Sequence, residues 1–221
     1  MSTTEQVNFS QISESRPVRV LVIHREEETK RDLFLHPTLL GTCSPKFADD
    51  IQGQGRDSRC DLDSPYALVL EAPRWIFEYF CNWLHRGRMP EESDLSRLHS
   101  LLEFARREQI EALKKDLTDQ LQQHCKKASD IMISLRSLVG STTDVEEELP
   151  GYLLKKTAFK MTTKGYVNFI EAADGEFEEF ISMKPLESRH KKEYIAKLWH
   201  EVSEANYLQS RGTLVDPAMP T

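Results

Sequence analysis

Apolar and polar positions change their period several times along the chain, and each change marks an element. Val18, Val20 and Val22, with Leu21 and Ile23 between them, form a β-branched apolar run. A run without alternation predicts a strand buried on both faces. Arg25 to Lys30 reads as a charged turn and Asp32 to Leu35 as a short second strand, so a hairpin is expected. From His36 to Ile51 the pattern turns helical, in two pieces interrupted at Gly41 and Pro45. Ser44 is placed to cap the second piece, with Pro45 at its first helical position. Phe47 and Ile51, four apart, share one face of it. Residues 52–65 read as a polar loop, and Tyr66 to Leu70 as a third strand.

Helical periodicity dominates from Pro73 onward. Pro73 opens a helix with Ile76, Tyr79, Phe80, Trp83 and Leu84 on one stripe, and Gly87 ends it. Ser93 is the expected cap of the next helix, in which Leu95, Leu98, Leu102 and Ala105 are spaced for burial. Ile110, Leu113, Leu117 and Leu121 make the cleanest stripe. Beyond Lys127, residues 131–139 form a short apolar run and 140–148 a loop, while 149–161, 166–172 and 177–183 read as short helices. Residues 187–208 read as a longer one, with Tyr194, Ile195, Leu198 and Val202 on its apolar face. This order predicts an α+β fold, helices packed on a small sheet, followed by a C-terminal helical extension. The expected divisions are a disordered leader over 1–16, a domain over 17–127, the extension over 128–208 and a disordered tail over 209–221.

Composition narrows the function. Leu, Ile, Val and Phe make up about a quarter of the 221 residues, above the roughly one-fifth below which chains stay disordered. The net charge is -7, and neither side of residue 127 is basic, so direct nucleic-acid capture is not expected. No apolar window is long enough to span a membrane. The leader is polar and lacks the apolar core of a signal peptide, so the expected address is the cytoplasm, the nucleus or both. The four cysteines lie far apart with no C-x-x-C pair, which predicts reduced, partly buried thiols.

Candidate chemistry is sparse. His36 has no carboxylate or second histidine at useful spacing, and a corner-holding histidine is the expected role. The closest metal-ligand pair, His124 and Cys125, is adjacent and diverges on a helix. Gly53-Gln54-Gly55 lacks the third glycine and the Lys-Ser/Thr of a phosphate loop. Cys43 before Ser44-Pro45 invites a thiolate reading at a helix N-terminus, but a small core residue is expected. Glu146-Glu147-Glu148 and the acids of Glu176 to Glu179 read as solvated surface, with Phe177 and Phe180 facing a core. Arg189-His190-Lys191-Lys192 reads as a solvated helix face. No catalytic residue, cofactor or metal is expected. An enzyme built from residues distant in sequence would instead show a deep pocket of convergent titratable groups.

The residues also carry a resemblance. Phe34-Leu35-His36, then Leu39-Leu40, then Cys43-Ser44-Pro45-Lys46-Phe47 resembles the first signature block of the BTB/POZ family. Leu70 to Gly87, with Phe77-Glu78, Phe80, Trp83-Leu84 and Gly87, resembles the second, and Leu101 to Leu113 the third. The second block looks most like the short BTB proteins of filamentous fungi. Pro37 stands where many members have Lys or Arg. Arg16-Pro17-Val18-Arg19 stands where many dimeric members carry an Asp. The resemblance implies a BTB/POZ fold over 17–127, with Phe34, His36, Leu40, Ser44, Pro45, Phe47, Trp83 and Gly87 in structural roles. It implies a non-enzymatic protein-interaction module whose partner is another BTB protein or a cullin scaffold of a ubiquitin ligase. Arg86, Arg88, Met89, Glu91, Arg106 and Arg107 would face that partner, with Met89 as the apolar anchor. The competing expectation is a self-assembling BTB scaffold, including a homodimer, with no ligase role.

Overall fold

The structure, a computed structural model, describes residues 16–24, 29–52, 67–87, 92–140, 148–182 and 188–217. The chain divides into two compact units, one of residues 1–91 with 100–117 and one of 92–99 with 118–221. The architecture is α+β: a three-stranded sheet and ten helices among the described residues.

The sheet belongs to the first unit. Strands β1 (Val18–His24), β2 (Thr29–Leu35) and β3 (Leu68–Glu71) stand in the order β2-β1-β3. β1 pairs antiparallel with β2, Val20 opposite Leu33, and parallel with β3, Val20 opposite Leu68. The hairpin is as expected, though β2 begins earlier, at Thr29. Its charged turn, 25–28, lies outside the described residues. β1 is not buried on both faces: Val20, Val22 and His24 are buried, while Leu21 and Ile23 between them are half-buried. β-branching made the run look continuous, but the pleat still alternates. His24 Nδ1–H donates to the Ala72 carbonyl at 2.9 Å, so its buried ring ties β1 to the end of β3.

Two short helices follow β2, α1 (Pro37–Cys43) and α2 (Pro45–Gln52). Gly41 does not interrupt α1. A Cβ there would sit 3.4 Å from Ala48 Cβ, so the glycine serves the close approach of α2. The break comes at Ser44, whose Oγ accepts the Phe47 N–H at 3.2 Å, an N-cap with Pro45 behind it. Residues 53–66, with Gly53-Gln54-Gly55, Cys60 and the start of the expected third strand, lie outside the described residues. Helix α3 (Arg74–Arg86) starts after Pro73 and stops at Gly87, whose left-handed φ of 65° is the conformation glycine adopts without strain. Phe80 gathers Phe47, Phe77, Trp83 and Phe104 around it at ring-centroid distances of 5.6–6.3 Å. Each such ring, buried, contributes about 1.5–3 kcal/mol.

Helices α4 (Leu95–Arg107) and α5 (Glu111–His124) have residues in both units. The cap of α4 is Asp94, not Ser93. Asp94 Oδ1 accepts the Ser96 N–H at 2.9 Å, while the Ser93 and Asp94 N–H groups both donate to Glu92 Oε1. Between the helices Gln109 takes a φ of 56°, and Ile110 N–H reaches back to the Ala105 carbonyl at 2.8 Å. Ile110, Leu113, Leu117 and Leu121 are all fully buried, as their spacing predicts.

The second unit continues as helices α6 (Ala128–Gly140), α7 (Glu148–Lys164), α8 (Tyr166–Ala172), α9 (Glu176–Ser182) and α10 (Ser188–Ser210). The expected 127/128 boundary falls between α5 and α6, inside this unit. α6 packs on α7 and α9, and α10 packs on α7. Phe169, Phe177 and Phe180 are buried, as the spacing of the last two predicts. The buried stripe of α10 is Tyr194, Leu198, Glu201 and Ala205, so Val202 lies at its margin. No helix among the described residues is long and apolar enough to cross a membrane.

Candidate protein-interaction surface

The expected surface starts where α3 ends. Arg86 is exposed in its last turn, and the Gly87 N–H donates to the Trp83 carbonyl at 2.8 Å. Trp83 is anchored from its other end, its Nε1–H donating to Asp116 Oδ2 of α5 at 2.9 Å. Arg88, Met89 and Glu91 lie outside the described residues. Arg106 and Arg107 close α4, where cations complement the helix dipole. Arg106 is half-buried.

Arg107 has intramolecular partners. Its Nη2 donates to the Glu71 carbonyl at 2.5 Å and its Nε to Glu108 Oε1 at 2.7 Å, with the guanidinium 5.6 Å from the Phe104 ring centre. A partner protein reaching this arginine must share it with β3.

Glu108 is the hub that sequence reasoning missed. It is 1% exposed. One carboxylate oxygen takes Arg107 and the other takes Lys46 Nζ at 2.7 Å. Its backbone carbonyl accepts the Ser44 hydroxyl at 2.6 Å. The N-terminus of α2 and the end of α4 therefore converge on one glutamate, and Arg107 extends the network to the Glu71 carbonyl at the end of β3. A buried carboxylate with a cation on each oxygen has its desolvation offset, whereas removing it strands both cations.

The remaining motif residues divide. Leu40, Ser44, Phe47 and Trp83 are buried, while Pro45 is exposed. His36 precedes α1; its carbonyl accepts the Leu40 N–H, and its ring does not cap the helix. Phe34, expected in a structural role, is 68% exposed. The alternation of β2 turns Leu33 and Leu35 inward and Phe34 outward, opposite Arg19, which is itself paired with Asp32 at 2.5 Å.

Other candidate chemistry has structural explanations. Burial pushes the Cys43 thiol up to about 12 and the Cys81 and Cys125 thiols up to about 11, the opposite of an activated thiolate. Glu176 and Glu179 are not simply solvated, for both pair with Arg136 of α6. Lys191 Nζ donates to the Ile181 carbonyl at 2.6 Å. Glu146 and Glu147 lie outside the described residues. No three His, Cys, Asp or Glu side chains cluster as a metal site among the described residues.

No protein-family model matches the chain, and no curated protein matches it. The resemblance therefore stands on the three residue blocks themselves.

Proposed function

We propose that residues 17–127 form a BTB/POZ-type module that acts by binding another protein, as an adaptor to a cullin scaffold. One observation carries the reading. The three residue blocks follow one another in the family's order along a chain that folds as hairpin, helix pair, third strand and helices. Binding of this kind needs no reactive group. It needs a few apolar or arginine anchors inside a polar rim. Met89, flanked by Arg88 and Glu91 beyond the exposed Arg86, is the anchor of the proposed surface. The test is a calorimetric titration of the full chain against the N-terminal region of a BTB-binding cullin, with Met89→Asp alongside. Saturable binding that the substitution abolishes is the expected result. Absence of binding up to tens of micromolar removes the ligase role.

A second reading, self-assembly, draws on Phe34. In the described sheet β2 pairs only with β1, so it is an edge strand, and its exposed phenylalanine leaves apolar area for a partner copy. Sedimentation equilibrium of the full chain and of Phe34→Glu decides it. A dimer that the substitution dissociates is the expected outcome, and a monomer at high concentration overturns this reading.

A further inference from the structure

The second unit holds a cavity of about 240 Å³ within its own residues. Three segments wall it. Helix α7 contributes Lys155, Ala158 and Phe159, and α10 contributes Glu201, Glu204, Ala205 and Leu208, residues that share one face by their spacing. The third wall is the chain after α10. Gly212, with a φ of 68°, turns it, and the Thr213 N–H reaches back to the Leu208 carbonyl at 3.0 Å. The chain then returns along α7, where Lys156 pairs with Asp216, and so presents Leu214, Val215 and Pro217 to the cavity.

Glu201 makes this cavity more than a packing gap. It is 7% exposed, lies on the buried stripe of α10, and has neither a hydrogen bond nor an ion pair among the described residues. Its oxygens are not among the sealed, partnerless side-chain atoms, so the carboxylate opens onto the cavity and can meet a cation there. Glu204, one turn on, adds a second carboxylate at the exposed side, without a partner among the described residues. Lys155 is the single cation among the lining residues, and Lys156 is held by Asp216, so the lining is net negative. The rest of the wall is apolar. The volume exceeds the ~150 Å³ that admits benzene and falls below the ~300–1,000 Å³ of drug-sized sites, which suits one ring or a short chain.

We propose that this cavity binds a small organic cation, a primary amine on a single ring or short aliphatic body. The ammonium meets Glu201, and the body lies against Phe159, Leu208 and Leu214. The site is independent of the BTB reading of the first unit.

Phenethylamine is the probe, titrated into the full chain by calorimetry and by amide NMR. Saturable binding is expected, with shift changes confined to 155–159, 201–208 and 214–217. 2-Phenylethanol, same ring without the charge, should bind at least about tenfold more weakly, and phenylacetate should not bind. Glu201→Gln, nearly isosteric, should weaken the amine by at least about tenfold, and the more exposed Glu204→Gln by about two- to threefold. The amine and the alcohol binding alike, an unchanged affinity in Glu201→Gln, shift changes elsewhere, or no saturation in the millimolar range would each overturn the proposal. Unchanged circular dichroism of Glu201→Gln keeps a loss of binding from being a loss of fold.

Discussion

Each unit buries a glutamate, and the two are treated differently. Glu108, in the first unit, has a cation on each carboxylate oxygen and a serine hydroxyl on its carbonyl. Glu201, in the second, is nearly as buried but has no partner among the described residues, and it faces a cavity. A paired buried charge holds elements in register, here α2, α4 and β3. An unpaired one that opens onto a cavity is placed to meet the charge of a ligand. The surroundings agree. The Glu108 region is packed by an aromatic cluster around Phe80, whereas the Glu201 region is walled by a returning chain segment and left partly empty.

The largest expected effect breaks the hub. Glu108→Ala should cost about 3 kcal/mol, because Lys46 and Arg107 lose their counter-charge, while the Ser44 hydroxyl keeps its backbone acceptor. The urea midpoint, with the m-value held constant, reads this loss. Next comes Trp83→Phe, which removes the hydrogen bond to Asp116 and part of a buried ring; about 2 kcal/mol should disappear from the same transition.

Glu201→Leu should move the other way, with a gain of about 1 kcal/mol, since leucine extends the apolar stripe at a position where the carboxylate has no partner among the described residues. A loss there would mean that Glu201 is held much as Glu108 is. The smallest effect concerns the cap of α4. Asp94→Ala should cost about 1 kcal/mol and Ser93→Ala close to nothing, a contrast that thermal denaturation of the two variants resolves.

Much of this was legible in the sequence where the signal is local. The stripe Ile110, Leu113, Leu117 and Leu121 lies wholly inside, Ser44 and Pro45 start α2, and Gly87 ends α3, because period and capping act over a few residues. Caps are less certain when two candidates adjoin: Ser93 and Asp94 both fit, and the Asp94 oxygen is the one that reaches the free N–H groups. Alternation was hidden in β1 by an unbroken run of apolar residues, and Phe34 was given a structural role by the resemblance, whereas the pleat of β2 turns it outward. The Glu108 hub was not legible, since its partners Ser44 and Lys46 are 64 and 62 residues away, and only the fold brings them to it. Glu201 left a trace. It occupies an apolar position in the Tyr194, Leu198, Ala205 stripe, an acid where the period calls for a hydrophobe. The cavity beside it needs the turn at Gly212 and the returning chain, which no helical period announces. Arg88, Met89 and Glu91, the heart of the proposed adaptor surface, rest on the resemblance alone.

The most direct measurement compares Glu108→Gln and Glu201→Gln side by side by urea denaturation of the full chain. Each substitution removes a charge and little else. A sharply lowered midpoint for Glu108→Gln, with Glu201→Gln unchanged or raised, is the predicted result. Equal losses in both would contradict the account, because Glu201 would then be a structural charge and not one kept for a ligand.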